Sequence, residues 1–181
     1  MIQLLYTNSE VFNSEQPNAS TSLGGNVSSS IVPNDFLGNV FSDISNLSKQ
    51  SGRKETILIA FSNDAVAITD LKVKFLLPTN PSIDIRVAFA NPTYNDCGEP
   101  IFEKIANSSA LPYSATFTPV VNNTELTVGA VDANKTIGMW LTRTVNTTNS
   151  APLSCEELEE EFLLNTPTPT EETVSLEITF N

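Results

Sequence analysis

Residues 51–75 read SGRKETILIAFSNDAVAITDLKVKF, two strand patterns flanking a polar turn. Residues 56–61 are rich in β-formers, residues 62–65 have turn chemistry, and Leu71, Val73 and Phe75 alternate with Lys72 and Lys74. That spacing predicts a hairpin with one apolar face, half of a β-sandwich. Further on, Ile83, Ile85, Val87 and Phe89 alternate with Asp84, Arg86 and Ala88, which sets one row in a core and the other in solvent. Strands are also predicted over residues 115–121, 126–131 and 136–145. In the last of these Ile137, Met139 and Leu141 take one face, and Gly138 and Trp140 the other. Val174, Leu176, Ile178 and Phe180 alternate again and predict a final strand over 173–180 that returns to the sandwich.

Outside these runs the pattern changes. Residues 2–6 are a short apolar segment suited to an edge strand. Residues 13–30 are polar and turn-rich, with Gly24 and Gly25, and have too little apolar surface to fold alone. From Asn34, the side chains Phe36, Val40, Ile44 and Leu47 fall near helical spacing on one stripe, with Asn34 or Asp35 as cap and Gly52 beyond the end. Residues 91–112 form a long connection of the kind that is often functional. Ser154 and Glu157 stand at capping-box spacing before a short acidic helix near 155–164, and Pro167 and Pro169 extend the chain after it. The expected division is therefore an N-terminal arm and amphipathic helix over 1–50 and a sandwich over 51–181.

Composition narrows the chemistry. The chain has 181 residues and is 40% hydrophobic, enough for a real core. Nine Lys and Arg against 21 Asp and Glu give a net charge of -12, which repels phosphate backbones and anionic headgroups. Neither nucleic acid nor membrane is an expected partner. The first ten residues, MIQLLYTNSE, have no basic region, and no window approaches the run of about 18 apolar residues that spans a bilayer, so no cleaved signal is expected. The chain has no histidine, which excludes Ser-His-Asp and Cys-His arrangements.

Carboxylate pairs remain, drawn from Asp84, Asp96, Glu99 and Glu103, but nothing in their spacing selects two of them. Glu156, Glu157, Glu159, Glu160 and Glu161 suit a cation, yet they lack a calcium-loop pattern and read as a solvated helical face. No metal or other cofactor is expected. Cys97 and Cys155 form no CxxC pair and leave a disulfide open. Sequons at Asn18, Asn26, Asn46, Asn107, Asn122, Asn134 and Asn146 are what a chain rich in Asn, Ser and Thr produces by chance. Trp140 near Arg143 could stack a sugar ring or simply cover one sheet half-buried; aromatics at 8%, mostly Phe at core-facing positions, favour the second.

The leader and the hairpin together resemble virion structural proteins of tailed bacteriophages. In that group a segment similar to Ser22-Leu23-Gly24-Gly25-Asn26-Val27-Ser28-Ser29 precedes a stretch like Leu37-Gly38-Asn39-Val40-Phe41-Ser42-Asp43-Ile44. An Ig-like opening similar to residues 52–63 follows, then a strand like Thr69-Asp70-Leu71-Lys72-Val73, and residues 137–145 look like the strand of these modules that carries Trp and Arg. The resemblance covers about two thirds of the chain, and fold alone does not give function.

It implies an all-β protein, an Ig-like antiparallel β-sandwich with an extended N-terminal arm and one or two short helices. It further implies a non-enzymatic auxiliary or decoration protein of the virion, assembled in the host cytoplasm and docked on the major capsid protein, with self-association as a further contact. The expected assembly interface is Leu23, Gly24, Gly25, Phe36, Val40, Ile44 and Leu47. A tail, neck or baseplate component is the alternative in the same class. A carbohydrate-binding adhesion module is the alternative from another class, and a carboxylate-dependent hydrolase is a third.

Overall fold

The computed structural model describes residues 2–8, 11–15, 18–33, 40–41, 52–64, 66–77, 83–146 and 175–179. Their strands are β1 (Ile2–Asn8), β2 (Gly25–Ile31), β3 (Arg53–Asn63), β4 (Ile68–Leu76), β5 (Ile83–Ala90), β6 (Thr93–Tyr94), β7 (Pro100–Phe102), β8 (Thr118–Pro119), β9 (Glu125–Val131), β10 (Thr136–Val145) and β11 (Ser175–Thr179). They form one sheet in the order β6-β7-β2-β1-β3-β10-β5-β8 and a second in the order β11-β4-β9, with every pairing antiparallel. The fold is an all-β sandwich of two unequal sheets. Among the described residues the helical content is a single 3-10 turn, Ala19–Thr21. The expected helix around Phe36, Ile44 and Leu47 lies outside the described residues, as does the acidic helix near 155–164.

The two sheets meet over Ile57, Ile59 and Phe61 of β3, Ile85 and Val87 of β5, and Met139 and Leu141 of β10, which face Leu71, Val73 and Phe75 of β4 and Val131 of β9. The inward rows expected for β4, β5 and β10 are the rows found, but the other face is not left to solvent as expected: Ala88 of β5 and Trp140 of β10 are buried on it. A second apolar layer lies on the opposite face of the larger sheet: Leu58, Ala60, Ala88 and Trp140 pack with Leu5, Val27, Phe102 and Ile105. The center of the larger sheet is thus buried on both faces, which explains why residues 56–61 read as a nearly unbroken apolar run. Trp140 has no exposed surface, and truncating such a side chain costs about 3–5 kcal/mol.

The N-terminal tract differs most from expectation. β1 is not an edge strand but lies between β2 and β3, with Leu4 opposite Phe61 and Tyr6 opposite Ile59. The tract expected to stay apart from the sandwich supplies β2, so the boundary at residue 50 does not follow the sheets. Its polar side chains are the physical reason. Ser28 donates its hydroxyl to the Tyr6 carbonyl, and Ser22 both donates to the Leu58 carbonyl and accepts from the Thr7 amide. A serine-rich strand can therefore be buried without orphaning its hydroxyls. Residues 115–121 are a strand only at β8, where Pro119 removes a ladder donor.

β3 and β10 run in register from Thr136 opposite Ser62 to Val145 opposite Arg53. Val87→Asp, which puts an unpaired carboxylate between the sheets, should cost several kcal/mol and leave the chain unfolded or aggregated. Arg86→Ala on the outward row, where Arg86 pairs with Asp84 in solvent, should cost under about 1 kcal/mol. Urea denaturation followed by circular dichroism measures both.

Candidate functional site

Leu23, Gly24 and Gly25 of the expected interface lie within the protein's own fold. Where β1 ends, β3 loses a neighbour, and the chain around Ser22 takes its place: the Leu58 amide donates to the Ser22 carbonyl at 2.8 Å. Leu23 accepts from the Ile105 amide at 2.9 Å and packs half-buried on the Trp140 layer. Gly24 donates its amide to the Thr7 hydroxyl at 3.0 Å and has a φ of 87°. A Cβ at Gly24 would lie 1.9 Å from the Glu103 carbonyl oxygen, so glycine is required by contact as well as by backbone conformation. Gly25 opens β2 opposite Phe102.

Val40 packs against the intersheet core together with Phe41. The Phe41 ring lies 4.9 Å from the Arg143 guanidinium. Phe36, Ile44 and Leu47 lie outside the described residues.

The acidic candidates hold the framework. Glu103 clamps a covering loop: its carboxylate accepts from the Tyr113 amide and from both the amide and the hydroxyl of Ser114. The Ser114 hydroxyl first, then these amides, hold the Glu103 carboxyl below the usual carboxylate range. This loop, residues 103–117, seals the outer face of the larger sheet through Ile105, Ala110, Ala115 and Phe117, and the Ser108 carbonyl accepts from the Thr56 amide at 2.7 Å. Glu99 accepts from the Asn95 side chain at 2.6 Å, while Asn95 Oδ1 accepts from the Cys97 and Glu99 amides, closing the turn between β6 and β7. Asp96 belongs to the same turn. Asp84 accepts from Arg86 at 2.8 Å on the outward row of β5.

Cys97 is an exposed free thiol, and Cys155 lies outside the described residues. Among the described residues no cluster of His, Cys, Asp or Glu has the makings of a metal site, and no helix is long and apolar enough to cross a membrane.

Two polar devices close the intersheet core at either end of β3, and hydrophobic periodicity missed both. At one end the buried Glu55 carboxylate pairs with Arg143 directly across the strands, and with Arg53 at 2.8 Å. At the other, Asn63 Nδ2 donates to the carbonyls of Val66, Val131 and Asp132 at 2.7, 3.1 and 3.2 Å. The sequence signal for the first was opposite charge at positions of inward parity. Trp140 and Arg143 belong to different faces of β10, so they cannot form one sugar platform.

The exposed apolar side chains include Val11 and Ile31 in the N-terminal region and Leu111 and Tyr113 on the covering loop, with Tyr113 fully in solvent. A shallow cavity of about 270 Å³ lies at one end of the sandwich, lined by Asn91, Pro92, Tyr94, Asp132 and Lys135 among others. The Lys135 ammonium sits 4.3 Å from the Tyr94 ring center. No protein-family model, curated protein or solved structure matches the chain.

Gly24→Ala should lower stability by more than the roughly 1 kcal/mol expected for a left-handed glycine alone, because the Glu103 backbone must also move. Thermal unfolding would show it. Glu103→Gln should cost about 1 kcal/mol at pH 7, a low figure because the carboxylate is exposed and screened. Because folding lowers the Glu103 carboxyl, its contribution is complete above the unfolded value of about 4.3 and is lost as pH falls through the folded value. The gap between wild type and Glu103→Gln in urea midpoint should narrow as the pH falls below that unfolded value and should be absent in strong acid.

Proposed function

We propose that the chain is a non-enzymatic structural component of a tailed-bacteriophage virion, an auxiliary or decoration protein docked on the major capsid protein. The observation that carries this reading is how the reactive side chains are used. Glu55, Glu99 and Glu103 hold strands and turns together, and Trp140 is sealed in the second layer. The motifs of the leader and hairpin supply the virion assignment.

Docking through the N-terminal region remains the favoured geometry, with its carriers revised. Leu23, Gly24 and Gly25 support the sandwich itself, whereas Val11 and Ile31 expose apolar side chains from the same region. Such a contact resists salt, since screening removes surface ion pairs and leaves apolar burial intact.

A second reading, the carbohydrate-binding module, has one observation in its favour: Tyr94 and Tyr113 are exposed in and beside the long connection after β5. Binding on a glycan array that Tyr113→Ala removes would support it.

Quantitative mass spectrometry of purified particles tests the first reading. A shell protein is present in on the order of hundreds of copies, a neck or tail component in about six or twelve, following the symmetry of each assembly. Absence from particles overturns the proposal. Ile31→Asp should leave folding unchanged and reduce incorporation about tenfold or more, and wild-type protein should stay bound in about 1 M salt.

A further inference from the structure

Among the described strands, β11 is the one separated from its predecessor by the longest stretch of sequence. β10 ends at Val145 inside the larger sheet, between β3 and β5, and the chain next appears as β11 in the smaller sheet, after residues 146–174. Among the described residues β11 is an edge strand with one partner, β4, from Ser175 opposite Leu76 to Thr179 opposite Lys72. Beyond the backbone ladder it brings Ile178, half-buried against the intersheet core opposite Val73, and Glu177, ion-paired with Lys74 directly across the strands.

The seat needs an occupant. Without β11 the smaller sheet is only β4 and β9, a two-stranded sheet that is marginal by itself, and it leaves the β4 edge unpaired beside the fully buried Val73. Yet the seat recognises nothing that distinguishes its own chain from another. The backbone ladder, the apolar surface under Ile178 and Lys74 are the same on every copy. Residues 146–174, fully extended, span at most on the order of 95 Å, ample reach for a neighbouring molecule's seat.

From these observations we infer that β11 is exchangeable, and that two copies of this chain can associate by each seating its β11 on the other's β4. The occupant is a second copy because such an exchange keeps every contact of the monomer and adds no new surface that must be complementary. Tethering favours the chain's own seat at low concentration, with an effective concentration of about millimolar. Exchange dominates where copies are crowded to that level or fold together.

Two chains, both carrying Cys97→Ser and Cys155→Ser, test this directly. One bears Lys74→Cys and the other Glu177→Cys; opposed positions on antiparallel strands lie about 4.5–5.5 Å apart, within disulfide reach. They are unfolded together, refolded at about 1 mM and oxidised. The mixed disulfide should form about tenfold or more above a control in which Val121→Cys, on an exposed loop, replaces Glu177→Cys. The product should have twice the 19.6 kDa monomer mass.

Both substitutions in one chain, refolded dilute, should close within the chain. Closure there with mixed disulfide only at control level means β11 stays with its own chain and overturns the inference. Failure of the single-chain pair to close removes the seat, and the inference with it.

Discussion

Strands β3 and β10 carry large side chains on both faces, so neither can be stable unless both faces are covered at once. On one side Ile57, Ile59, Met139 and Leu141 need the smaller sheet; on the other Leu58 and Trp140 need something else. Among the described residues no second sheet supplies that cover. Beside Phe102 of β7 it comes from chain outside the strands, Phe12, Leu23 and residues 103–117, anchored by a few apolar side chains and by hydrogen bonds to β3 itself. The wide larger sheet, the buried glycine at position 24 and the Glu103 clamp all follow from sealing this second face.

Covering a sheet with loops creates a problem of polar satisfaction, since buried irregular backbone has no ladder to join. This protein meets it with asparagine and serine. Asn63 takes three carbonyls where two turns converge, Asn95 closes the β6–β7 turn, Asn122 accepts from the Leu77 amide, and Asn18 caps the 3-10 turn. Asn13, Asn123 and Asn134 take left-handed backbone conformations that asparagine tolerates better than most residues. The sequons at Asn18, Asn122 and Asn134 thus mark turn chemistry, consistent with the abundance of these residues in the chain.

Legibility in the sequence followed the kind of force involved. Period-two alternation exposed β4, β5, β10 and β11, because a face on a well-defined core imposes it. β2 reads Gly-Asn-Val-Ser-Ser-Ser-Ile, with two apolar residues in seven, and its place in the sheet depends on hydroxyl partners distant in sequence. Such pairing leaves no periodic mark, so the tract looked like an unattached arm. The second layer was hidden for a related reason: Ile105, Ala110, Ala115 and Phe117 are spaced by loop geometry. Of the expected interface, Leu23, Gly24 and Gly25 lie within the protein's own fold, and the close approach of Gly24 to Glu103 is an internal contact.

Charge then constrains which surfaces can meet a partner. On the outer face of the smaller sheet the cations are already engaged: Lys72 with Asp70 and Glu125, Lys74 with Glu177. These exposed pairs add little stability but neutralise the lysines locally, leaving nearly all of the net charge of -12 on the rest of the molecule. Two such surfaces repel once they approach within a Debye length, about 8 Å at physiological salt. Close association of copies therefore favours contacts that add no unpaired charge to a shared interface. An exchanged β11 satisfies that condition, because Glu177 arrives opposite a lysine, and an apolar docking surface satisfies it by having no charge to oppose.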